Sequence, residues 1–118
     1  MKTQIKKNGD AIIVSMDGRL DFETTEPLRD QLSKVIRNTK TDSVPKKIIV
    51  NMEGLEFVGS SGISSFIQTL KEFNQMAPEK PRYCNVRSEF KRVIKAFDEE
   101  NQFDFHDSEA RALDSFDN

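Results

Sequence analysis

A chain of 118 residues holds one domain and one core, and is too short for two. Its net charge is −2 with 32% of residues charged, so neither the basic footprint of a nucleic-acid binder nor a polybasic membrane patch is indicated. One cysteine excludes an intramolecular disulfide framework, and no apolar signal region or membrane-length stretch is present, so a soluble cytoplasmic protein is expected.

In chain order, Ile5 and the run Ala11 to Met16 read as two strands around Asn8-Gly9-Asp10, a turn-forming cluster that signals a hairpin. Gly18 is expected to end the second strand. Asp21 to Thr25 leads into a helix with Pro27 in its first turn, where a missing N–H costs nothing. Leu28, Leu32, Val35 and Ile36 form its apolar stripe, and Asn38 to Lys46 reads as a polar connector. Ile48 to Val50 is a short apolar run suited to one buried strand.

A loop and two adjacent serines, Ser60 and Ser61, then open a helix striped by Ile63, Phe66, Ile67, Leu70 and Phe73. Serine hydroxyls accept hydrogen bonds from the unpaired N–H groups of a helix start, and the same groups stabilise an anion such as phosphate. On the residues alone, a capping serine and a regulatory serine both fit. Ala77 to Pro81 breaks this helix. Tyr83, Cys84 and Val86 suggest a strand, Ser88 caps a helix striped by Phe90, Val93, Ile94 and Phe97, and Phe103 with Phe105 forms a last edge strand. Ser108 opens a terminal helix carrying Ala110, Ala112, Leu113 and Phe116. Strands separated by helices imply parallel pairs joined by crossovers, with the opening hairpin adding an antiparallel pair.

The segment from Ile48 to Ile63 resembles the signature of the STAS domain family, the anti-sigma-factor antagonists. The matching parts are the strand Ile48 to Val50, the turn glycine Gly54, the apolar pair Phe57 and Val58, and Ser60-Ser61-Gly62-Ile63. Two positions depart from the family pattern, where Asn51 and Gly59 stand in place of Asp. Asp17-Gly18-Arg19-Leu20-Asp21, with Thr24, Thr25 and Pro27-Leu28-Arg29, is similar to the family's lead into its first helix. Ser88 to Ile94, Phe103 to Phe105 and Asp107 to Ala110 follow in the family's order.

The resemblance implies a single α/β domain over residues 1–118, with a mixed, mostly parallel sheet of four to five strands and about four helices. It implies a non-enzymatic regulator that binds an anti-sigma factor acting also as a serine protein kinase, with a phosphatase as a further partner. Ser61 is then the phosphoacceptor, and Asp21, Phe22, Gly59, Ser60, Gly62 and Ser64 are expected at the partner interface. The residues leave Phe22 open between a partner contact and a helix staple. The alternative is an unphosphorylated STAS interaction module, serving as a scaffold or a small-ligand sensor.

No catalytic constellation is legible. His106 and Cys84 are single, so a metal site would need carboxylates for most positions, unlike zinc preference. Cys84 reads as a small core residue, and His106 as solvated or capping the last helix. Asp98, Glu99 and Glu100 read as a solvated helix end. The spacing of Gly54, Gly59 and Gly62 fits neither a Walker nor a dinucleotide loop, and no lysine follows Gly62. Neither cofactor nor metal is expected.

Overall fold

The computed structural model describes residues 2–8, 11–20, 25–41, 47–57, 63–77, 79–98 and 103–116. The elements alternate as β1 (Lys2–Asn8), β2 (Ala11–Leu20), α1 (Thr25–Thr41), β3 (Lys47–Phe57), α2 (Ile63–Met76), β4 (Arg82–Cys84), α3 (Ser88–Phe97), β5 (Asp104–His106) and α4 (Glu109–Ser115). The five strands form one sheet in sequence order. β1 and β2 are antiparallel and close as a hairpin at Asn8 and Ala11, while β2 to β5 run parallel. The α/β class, the mixed sheet and the four helices are as the sequence implied.

The apolar stripes bury as spaced. Leu28, Leu32 and Val35 of α1, with Phe66, Ile67, Leu70 and Phe73 of α2 and Phe90 and Ile94 of α3, pack on Ile12, Val14, Met16, Ile48 and Val50 in the main core. Phe66 and Phe90 meet edge to face at 5.5 Å, locking α2 to α3. Tyr83 is fully buried and donates its hydroxyl to Asn74 Oδ1 at 2.6 Å, which satisfies the polar end of the ring. The opposite face of the sheet carries a smaller cluster of Ile13, Ile49, Cys84 and Ala112, covered by α4.

Several boundaries differ from the sequence reading. β2 does not end at Gly18 but continues to Leu20, with Gly18 at φ 115, a conformation that glycine adopts without Cβ strain. β3 is eleven residues long and does not stop near Val50. Its continuation depends on a bulge: Ser15 pairs with Asn51 and Asp17 with Gly54, so Met52 and Glu53 together oppose Met16. Asn51 Oδ1 accepts from the Glu53 N–H at 2.9 Å, supplying a partner at the bulge itself. Gly54 therefore lies within a strand and not in a turn. A Cβ there would stand 2.8 Å from Asp17 Cγ, inside van der Waals contact, so a larger residue would push the exposed Asp17 side chain aside.

α1 runs on through Thr41, over the first residues expected to form the connector. Val86 lies outside β4 and packs on the main core. Ser88 is the first residue of α3 and not its cap. Arg87 occupies the N-cap position without a side-chain hydrogen bond to the helix. Phe97 is exposed at the helix end, where the Lys71 ammonium donates to its carbonyl at 2.6 Å. Ser108, expected to open the last helix, is its N-cap, accepting from the Arg111 N–H at 3.2 Å.

Candidate functional site

Side by side, β2 and β3 end with Arg19 paired to Glu56 and Leu20 to Phe57. Segments 21–24 and 58–62 follow these neighbouring strand ends in sequence and lead to Thr25 of α1 and Ile63 of α2. Ser61 lies in the second segment, with Gly59, Ser60 and Gly62, and all four are outside the described residues, as are Asp21 and Phe22. Of the expected interface residues Ser64 is described, and it is exposed on the first turn of α2.

The helix that follows the serines is firmly placed. α2 buries Phe66, Ile67, Thr69, Leu70 and Phe73 while its first turn carries no acidic residue, so the positive end of its dipole is uncompensated by its own side chains. Thr69 turns its hydroxyl back onto Ser65 O at 2.9 Å, which lets the polar group sit inside the core. α1 is tied alongside by Arg29, whose Nη2 donates to Thr69 Oγ1 at 3.4 Å and whose Nε lies 3.5 Å from Glu72 Oε2. The two helices flanking the paired strand ends are therefore coupled through one guanidinium.

A cavity of about 310 Å³ opens beside the start of α2, between the end of β3 and the first turns of α3. Leu55, Ile63, Phe90 and Val93 supply its apolar wall, and Glu56, Arg87 and Glu89 its charged rim. Sequence reasoning missed Arg87 and Glu89, because only the packing of α3 against β3 brings them to the end of the strand. It also missed the contact from Asn51 Nδ2 to Glu109 Oε2 at 2.6 Å. The Asn51-x-Glu53 spacing was a legible cue for the local half of that arrangement, since Asn side chains bond backbone two residues on.

The remaining candidates are structural. Cys84 is wholly buried, and burial, with the charges of Glu109 and Glu53 adding to it, pushes its thiol up to about 12, far from a reactive thiolate. His106 neither caps α4 nor stands in solvent: its Nε2 is shielded without a hydrogen-bond partner among the described residues, 3.9 Å from Asp104 Oδ2. Among the described residues no group of three His, Cys, Asp or Glu side chains could hold a metal ion. Among them, too, no helix is long and apolar enough to cross a membrane.

The order of elements and the position of the serine segment can be set beside known proteins. The profile of the STAS domain matches residues 2–112. An anti-sigma F factor antagonist from Paenibacillus polymyxa is 23% identical over 113 residues, covering 96% of this chain and 92% of its own. The crystal structure of an anti-sigma factor antagonist from Mycobacterium paratuberculosis superposes with a TM-score of 0.74 at 17% identity, over 99% of this chain and 94% of that one. The Bacillus cell fate determinant SpoIIAA, in its phosphorylated form, gives a TM-score of 0.62 at 21% identity, over 98% and 99%. With a profile match across nearly its whole length and the same fold in these structures, the chain belongs to the STAS domain family.

Proposed function

We propose that this STAS domain is an anti-sigma-factor antagonist: it binds an anti-sigma factor that is also a serine protein kinase, and phosphorylation of Ser61 releases it. The observation that carries the reading is the placement of Ser60-Ser61-Gly62 between the end of β3 and the start of α2, in a chain that matches the family along its length. The likeness to an anti-sigma F factor antagonist and to SpoIIAA in its phosphorylated form supports it.

The mechanism follows from charge. Phosphate adds about −1.5 to −2 charge and three strong acceptor oxygens. Beside a helix start without acidic residues, that charge is tolerated by the domain itself. Against a partner surface it must be desolvated or paired, so the same group that is harmless to folding opposes binding. Asp21, Phe22, Gly59, Ser60, Gly62 and Ser64 form the interface in this reading. A phosphatase resets the switch, and both reactions take place in the cytoplasm.

The experiment is incubation with ATP and the candidate kinase, followed by fragment mass spectrometry and a binding assay on both forms. Phosphate on Ser61 with loss of partner binding is the expected result. Phosphate on Ser60, or equal binding by both forms, would count against the reading.

A further inference from the structure

We propose that the cavity between β3, α2 and α3 binds a small zwitterionic molecule with an apolar body, of the amino-acid class. Its volume of about 310 Å³ is at the low end of small-molecule sites, roughly 300–1,000 Å³. That space suits a metabolite and is too small for a partner's helix.

The lining sets the chemistry. Leu55 and Phe90 are 1% and 7% exposed and form a rigid apolar wall, with Ile63 and Val93 partly buried beside them. Glu56, Arg87 and Glu89 stand exposed at the rim. Arg87 is also the N-cap residue of α3 and places no side-chain cap on it, so the first N–H groups of that helix receive no hydrogen bond from the cap side chain.

A simple anion in this cavity would face the carboxylates of Glu56 and Glu89. A simple cation would face Arg87 and the positive end of α2, whose first turn carries no acidic residue. A molecule carrying both charges pairs each of them: its carboxylate with Arg87, its ammonium with Glu56 and Glu89. Its side chain then lies on the apolar wall. Arg19 approaches Glu56 at 4.0 Å with both side chains exposed, a contact weak enough to be exchanged for a ligand ammonium.

The proposal rests on described residues of β3, α2 and α3, and no partner is needed to test it. Isothermal calorimetry and amide NMR would be run with L-leucine and L-phenylalanine against isovalerate and isoamylamine, which carry one charge each. The amino acids are expected to shift the resonances of Ile63, Phe90 and Val93, with each single-charge probe binding at least about tenfold more weakly. Arg87→Gln, a change at an exposed side chain, should weaken amino-acid binding by at least about tenfold, and Val93→Trp should abolish it by filling the space. Thermal melts confirm that each variant is folded, and Arg87→Gln decides the matter if Val93→Trp is not. The proposal is overturned if no probe shifts those resonances, if a single-charge probe binds as tightly as the amino acids, or if Arg87→Gln leaves their affinity unchanged.

Discussion

The side-chain amide of Asn51 donates to the Glu109 carboxylate across 2.6 Å, joining the bulged strand β3 to helix α4. Its carbonyl oxygen meanwhile accepts from the Glu53 N–H within the bulge. One amide thus serves two elements, and it can do so because it both donates and accepts. Asn51 stands where the family pattern has Asp, and a carboxylate at this position would keep the bulge contact but face Glu109 with like charge.

Asn51→Asp is therefore expected to cost about 1–3 kcal/mol at neutral pH, from a lost donor and a partly buried like-charge pair. Glu109→Gln added to it should recover most of the loss, because the new amide can donate to the introduced carboxylate in the reverse sense. Chemical denaturation of the two single variants and the double variant checks this. A double variant no more stable than Asn51→Asp alone would show that the contact does not couple β3 to α4.

Phe66 is fully buried and meets Phe90 edge to face. Phe66→Ala should cost about 3–5 kcal/mol, the transfer of the ring plus the cavity it leaves. A loss below roughly 1 kcal/mol in urea unfolding would place Phe66 outside the packed core.

Alkaline pH should destabilise the fold through two buried acids. Burial raises the Cys84 thiol from 9.0 to about 12 and also pushes the Tyr83 phenol upward. Both groups stay neutral in the folded state while the unfolded chain ionises; the thiol's contribution is complete below pH 9.0 and is lost as pH rises toward about 12, and the phenol's is lost at still higher pH. The slope is at most about 1.4 kcal/mol per pH unit for each group. Cys84→Ala should flatten the decline between those limits, measured as denaturation midpoint against pH. An unchanged slope would show that the thiol does not carry it.

For the switch, Ser61→Asp is expected to weaken partner binding while leaving the melting temperature nearly unchanged. Negative charge near a helix start contributes about 0.3–1 kcal/mol of stability, whereas a desolvated unpaired charge at an interface typically costs several kcal/mol. Ser61→Ala should bind normally and ignore the kinase. Calorimetry beside thermal melts decides it, and a Ser61→Asp variant that binds as tightly as the wild type would remove the interface mechanism.

The stripes of α1, α2 and α3 and the apolar run of β3 were legible because burial on one face imposes a period that survives in the sequence, as Phe66, Ile67, Leu70 and Phe73 show. The hairpin at Asn8 and Ala11 and the start of α4 near Ser108 were legible for a similar reason, since turn and helix-start chemistry is local. The Ser60-Ser61-Gly62 motif and the order of segments also sufficed to identify the family.

Only tertiary structure decided where β2 and β3 end. Their continuation to Leu20 and Phe57 is stabilised by cross-strand pairing and by a bulge whose partner residue, Met16, is distant in sequence. It also decided that Gly54 yields space to Asp17, that Asn51 reaches Glu109, and that Arg87 and Glu89 share a cavity with Leu55. Each of these relations joins residues tens of positions apart. Such contacts depend on how the sheet and helices stack, which leaves no period or spacing in the chain for a local reading to find.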